Sequence, residues 1–336
     1  MNKSFVILSL ALSSFLTQAA NIINDERVTT QQDCFRSIFS SYEAWYGFIE
    51  KKNNKKFKGD KDKLNRAMNG FDKIFGKEKY EHYKKHLVCQ SISYKVDGVD
   101  VAGFVIKPKV SDKKYPVLVY NRGGNGGYGS MIFANMMRGL FPIAEQGFVI
   151  IGSQYRGSLT KEDNLDEFGG KDVNDVVELF KLIPNIVGAD AERIGMFGGS
   201  RGGMQTFLAL KEVSNIKAVA ASSGNYDLVR GLEIRPAMEN VYKHRIPNYF
   251  VNKLQELEKR STLQWVHQLP KDVPVLLIHG AKDKRVSVEH SEKLAAALNV
   301  HKIPHKLVVY PEGNHYFSKN RNKQQQEIVN WFKTYL

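Results

Sequence analysis

Gly195-Met-Phe-Gly-Gly-Ser-Arg-Gly-Gly-Met204 decides the fold. Within it Gly198, Ser200 and Gly202 satisfy the G-x-S-x-G spacing of a serine carried on a sharp turn between strand and helix. Such a turn strains the serine backbone and brings strand and helix so close that the residues two positions away need almost no side chain. The flanks agree: Ala191 to Phe197 reads as a short buried strand, and Met204 to Lys211 continues as a helix. Ser200 is the candidate nucleophile. The alternative is a glycine-rich turn of a parallel sheet that has lost its site.

A serine nucleophile needs a base, and the base needs an acid to orient it. In α/β-hydrolases these follow the serine in the order acid, then histidine. Pro274 to Gly280 is an apolar strand closed by glycine, with Asp283 in the loop beyond it. Lys306 to Tyr310 is the next strand and runs into Pro311-Glu-Gly-Asn-His315. Ser200, Asp283 and His315 form the expected triad. Asp227, one strand earlier, competes for the acid, and His279 competes as a base but reads better as a structural hydrogen-bonding group. His290, His301 and His305 read as solvated, and His82 and His86 sit in a lysine-rich helix without the spacing of a zinc site. No metal or cofactor is expected.

Two backbone N–H groups should form the oxyanion hole, one from Arg201 and one from the loop after the strand Tyr115–Tyr120. That loop, Asn121-Arg-Gly-Gly-Asn-Gly-Gly-Tyr-Gly129, is rich enough in glycine to fold against a substrate, and Gly123 is the expected second donor.

With these blocks in place the chain resembles the catalytic domain of the prolyl oligopeptidase family of serine peptidases. The likeness runs in order through Ile92–Pro108, Tyr120–Gly124, Tyr155–Ser158, Glu167–Val176, Gly198–Gly203, His279–Val286 and Glu312–His315. It implies peptide-bond hydrolysis on an α/β-hydrolase fold: a mostly parallel twisted sheet with helices on both faces. Two features depart from the family. Arg122 stands where its peptidases typically carry tyrosine or histidine, so it supplies charge near the oxyanion, holds a substrate carboxylate, or points away. About ninety residues precede the hydrolase segment, far fewer than the roughly 300 of a seven-bladed propeller.

Residues 1–20 read as a signal peptide, with Lys3 before an apolar run from Phe5 to Leu16 and small residues at Ala19 and Ala20. Export to a periplasm or the exterior is the expectation. Residues 21–90 read as a helical cap before a catalytic domain over 91–336. Cys34, Phe35, Ile38, Phe39, Tyr42, Trp45, Tyr46 and Ile49 recur at helical spacing; that face either docks on the catalytic domain or roofs the active site. A second helix is expected from Asp60 to Phe75, with an exposed link over Lys51–Lys63. Cys34 and Cys89 are the chain's two cysteines, a disulfide candidate in an exported protein or else two buried thiols.

The segment from Ile234 to Leu269 reads as helices that wall the pocket, and Tyr242 joins Arg122 and Tyr155 as a candidate substrate contact, with Arg235, His244 and Tyr249 behind them. A formal net charge of +14 raises the question of nucleic acid, but the lysines are spread along surface helices without aromatic platforms. A solvated basic surface that touches anionic lipid weakly fits better. The expected activity is acyl transfer to water on a peptide; a carboxylesterase on the same scaffold, or a binding protein that kept the fold, are the alternatives. The oligomeric state is not legible.

Overall fold

A computed structural model describes residues 21–109, 113–158 and 165–336; the expected signal peptide lies outside them. The first strand, β1 (Val28–Asp33), precedes three helices, α1 (Tyr42–Lys56), α2 (Lys61–Phe75) and α3 (Lys77–His86). A hairpin follows, β2 (Leu87–Val96) and β3 (Val99–Pro108), and then β4 (Tyr115–Asn121), α4 (Phe133–Gly139), α5 (Phe141–Ala144) and β5 (Val149–Ser153). The nucleophile region is α6 (Asp172–Leu182), β6 (Ala189–Gly199), α7 (Arg201–Leu210) and β7 (Ala218–Ser222). Three helices come next, α8 (Leu228–Ile234), α9 (Met238–Arg245) and α10 (Tyr249–Lys259). The chain closes with β8 (Val275–Gly280), α11 (Glu289–Val300), β9 (His305–Tyr310) and α12 (Arg321–Tyr335).

The nine strands form one sheet in the order β1-β2-β3-β5-β4-β6-β7-β8-β9. β1, β2 and β3 pair antiparallel, β3 joins β5 antiparallel, and the run from β5 to β9 is parallel. Parallel strands need helical crossovers, which cover both faces: β5, β7 and β8 are buried along their full length. One face packs α6, α7 and α11 through Val176, Leu179, Phe207, Leu294 and Leu298. The other packs the N-terminal helices, α4, α5 and α12 through Trp45, Tyr80, Phe133, Phe141 and Phe332. All of α7 is buried, which fixes the helix behind Ser200.

The N-terminal segment differs from its reading in the sequence. The chain after Cys34 forms a short 3-10 turn over Ser37–Phe39, and the helix starts at Tyr42. Ser41 takes an extended backbone and its hydroxyl accepts the Ala44 N–H, which sets the start. Much of the expected link is helix as well, because α1 runs to Lys56. Asp60 accepts the Lys63 N–H and caps α2. Residues 28–33 belong to the main sheet as its edge strand. The aromatic face docks on α4: Phe39 stacks on Phe133 with ring centroids 4.5 Å apart, and Trp45 meets Phe133 edge-on at 5.2 Å. No residue before Tyr120 lines either cavity at Ser200, so among the described residues this segment braces α4 and leaves the site unroofed. Cys34 and Cys89 are bonded, tying the end of β1 to β2.

Candidate active site

Ser200 sits at φ 58°, ψ −124°, a conformation that a non-glycine residue holds only under constraint. Closeness supplies it. A Cβ on Gly198 would lie 2.3 Å from the Gly202 carbonyl oxygen, and one on Gly202 would lie 2.0 Å from that of Asn121. The Ser200 N–H bonds the Ser222 carbonyl at 2.8 Å, tying the turn to β7.

The loops after β8 and β9 touch back to back. A Cβ on Gly280 would stand 2.4 Å from the Gly313 carbonyl carbon, so only glycine lets the two loops meet. That meeting brings together the two residues the sequence assigned to them: His315 Nδ1 is 2.7 Å from Asp283 Oδ2. The other carboxylate oxygen accepts the N–H groups of Arg285 at 2.7 Å and Val286 at 3.0 Å. Burial opposes ionisation of Asp283, but hydrogen bonds from His279 and His315 and the Val286 amide overcome it and hold the carboxyl well below its usual range. An ionised carboxylate only accepts hydrogen bonds, so His315 Nδ1 carries the proton and Nε2 presents its lone pair. Ser200 and His315 line the same cavity.

His279 has a supporting place. Its Nε2 lies 3.0 Å from the Val286 carbonyl and 3.4 Å from Asp283 Oδ2, and its Nδ1 lies 2.7 Å from Ser291 Oγ. Facing a carbonyl and a carboxylate, Nε2 must carry the proton, and Nδ1 accepts from Ser291. Asp227 is occupied elsewhere, accepting the Arg230 N–H at the start of α8.

On the oxyanion side Gly123 lies against the nucleophile, where an added Cβ would be 3.3 Å from that of Ser200. Arg201 opens α7 directly after Ser200. Arg122 corrects the expectation of a substrate contact. Its side chain is wholly buried and donates to the carbonyls of Gln154 at 2.8 Å, Gly123 at 2.9 Å, Gly126 at 2.7 Å and Tyr128 at 3.1 Å, and to Ser158. The guanidinium is consumed in folding the glycine loop. Tyr155 is corrected with it: buried, its hydroxyl donates to the Arg122 carbonyl at 3.0 Å, and its ring lies 4.9 Å from the Arg122 guanidinium and 4.8 Å from that of Arg201. Tyr242 does line a cavity at Ser200, with Arg235, whereas Tyr249 does not.

Three features escaped the sequence reading. His290 is buried, against the expectation of a solvated side chain, and lines that same cavity; burial pushes its pKa down to about 4. Asp166 and Asp172 clamp Arg201 at 2.6 and 2.7 Å. Asp166 also accepts the Gly126 N–H at 2.6 Å. An aspartate preceding a glycine pair reads as an exposed turn, and only the tertiary structure buries it.

The fold is that of the α/β-hydrolases, with a strained serine and an Asp–His pair at the carboxyl edge of the parallel strands. The prolyl oligopeptidase family model matches residues 134–336, and the chain belongs to that family of serine peptidases. It is 29% identical over 262 residues to the uncharacterized peptidase YtmA of Bacillus subtilis, covering 77% of this chain and 99% of that protein. It is 25% identical over 260 residues to the acylamino-acid-releasing enzyme of Rattus norvegicus, covering 71% of this chain but 34% of that one. Among solved structures, Pyrococcus horikoshii acylaminoacyl peptidase superposes with a TM-score of 0.64 at 24% identity, over 76% of this chain and 43% of that chain.

Proposed function

We propose that Ser200, His315 and Asp283 act as a catalytic triad that hydrolyses peptide bonds outside the cytoplasm. The observation that carries this is the 2.7 Å contact of His315 Nδ1 with an ionised Asp283, on a cavity wall shared with the strained Ser200. Ser200 Oγ forms a bond to the scissile carbonyl carbon as His315 Nε2 takes the hydroxyl proton. The oxyanion is held by the Arg201 and Gly123 amides. The C–N bond then breaks, and His315 passes its proton to the leaving amine. Water repeats the sequence on the acyl-enzyme and releases the acid. Asp283 fixes the imidazole tautomer throughout.

Membership of a peptidase family supports peptides over simple esters as substrates. The Cys34–Cys89 bond and the apolar run of residues 5–16 support export, since disulfides persist in oxidising compartments. The test pairs a chromogenic peptide amide with an acyl ester of the same residue. Ser200-dependent release from the amide supports a peptidase, and release from the ester alone would shift the reading to an esterase.

A further inference from the structure

Ser200 stands where two cavities of different size meet, each carrying arginines and neither lined by an acid among the described residues. The smaller, about 140 Å³, is walled by Phe168, Met204, Met238 and Tyr242. The larger, about 670 Å³, carries His315 on its wall. In serine hydrolysis the histidine gives its proton to the leaving group, so that group departs on the histidine's side of the serine. The larger cavity is thus the leaving-group side.

Its floor is apolar, with Leu140, Phe197 and Ile328, but its charged groups are all guanidiniums: Arg138, Arg285 and Arg321. No aspartate or glutamate among the described residues lines it. Arg285 is engaged, donating to Tyr128 Oη at 3.3 Å with its guanidinium 5.1 Å from the Tyr316 ring centroid. Arg138 has no side-chain hydrogen bond or ion pair among the described residues, and Arg321 has one hydrogen bond. Arg321 donates to the Tyr316 carbonyl at 3.2 Å, and its Nε is buried without a partner. Gln325, one turn beyond Arg321 on α12, donates to the Arg138 carbonyl at 3.2 Å, so the two arginines share one wall of the cavity; burial first, and then the Arg138 charge, lower the Arg321 pKa. Neither meets a carboxylate among the described residues. Two adjacent cations in a partly desolvated cavity repel, and an anion between them reverses the sign of the interaction.

We propose that Arg138 and Arg321 form a carboxylate subsite on the leaving-group side, so that the chain takes short peptides by their free carboxyl terminus. This rests on the reading of Ser200 as nucleophile, which puts the leaving segment in that cavity. A free α-carboxylate ends the leaving segment of any unblocked peptide, and guanidinium forks match it through paired N–H donors. The apolar floor takes the side chains between the scissile bond and that terminus.

The test is calorimetric binding of acetyl-trialanine and its carboxamide to the Ser200→Ala protein, with and without Arg138→Gln and Arg321→Gln. The free acid is expected to bind at least tenfold more tightly than the amide. Arg138→Gln, a change on an exposed side chain, should remove most of that ratio, and the double variant should bring it to about one. Equal affinity of the two peptides, no measurable binding of either, or a ratio that survives in the double variant overturns the subsite. Cleaved peptide recovered from the Ser200→Ala cell by mass spectrometry would instead overturn the nucleophile, and the affinity ratio would be read separately.

Discussion

Arg201 grips Asp166, with Nη1 and Nη2 at 2.8 and 2.6 Å from the two carboxylate oxygens. Asp166 in turn accepts the Gly126 amide, so one buried carboxylate joins the turn carrying Ser200 to the glycine loop opposite. Burial works against this carboxylate, yet Arg201 holds it ionised, well below the usual range. The two expected oxyanion donors, Arg201 and Gly123, are thereby held in register by a residue that touches neither the serine nor the histidine.

Asp166→Ala should therefore act on stability and on rate together. Removing one partner of a buried ion pair costs about 3 kcal/mol where a second acid, here Asp172, still faces the arginine. Denaturant melts should show that loss, and kcat should fall while KM for a short substrate changes little. A drop in stability with kcat intact would separate Asp166 from the oxyanion geometry.

Asp283→Asn should leave the fold standing and lower kcat by on the order of 10⁴-fold, because the amide lets His315 adopt the wrong tautomer. Asp227→Asn should leave stability and turnover near those of the parent, because asparagine caps a helix as well as aspartate does. Rate measurements on the two variants, with circular dichroism as the control for folding, distinguish the acids.

His290 predicts an acid limit to stability. Its folded pKa of about 4 lies below the ordinary histidine value, so between those values the unfolded chain binds more protons and stability falls as pH falls. The contribution is whole above about pH 6.5 and declines toward pH 4, reaching roughly 3 kcal/mol. Urea midpoints taken across that window should slope downward with acidification, and His290→Gln should flatten the slope.

How far the sequence carried this picture depends on the range of the forces involved. The placing of Ser200, Asp283 and His315 at one sheet edge was legible because glycine turns at the ends of apolar strands are local signals, and each strand delivers one residue there; their roles remain the proposal above. Arg122 and Tyr155 were misread because nothing local distinguishes a buried guanidinium from one that faces a ligand. The four carbonyl partners of Arg122 are those of Gln154 and of Gly123, Gly126 and Tyr128 in its own loop. The helix expected from Cys34 failed for a different reason. Apolar spacing continued across Ser40-Ser41, where a capping hydroxyl ends one element and starts the next. His290 lies on a helix whose sequence looks solvated, and the cavity it lines takes its other walls from α8 and α9, remote in the chain.

Cys34→Ser should test the N-terminal brace. The bond spans 55 residues, and its loss should lower stability by about 4 kcal/mol in the chain-entropy model. Neither cysteine lines a cavity at Ser200, so kcat at 25 °C should stay near that of the parent while the thermal midpoint drops. A matched loss of kcat would mean that the brace on α4 reaches the site.

The most direct test of the account is fluorophosphonate labelling of the intact protein followed by peptide mass spectrometry, with the Ser200→Ala protein treated in parallel and both assayed on a chromogenic peptide amide. The expected result is a single adduct on the peptide containing Ser200, loss of turnover in step with labelling, and neither label nor turnover in the variant. Turnover retained by Ser200→Ala, or an adduct on another serine that tracks the loss of activity, would contradict it.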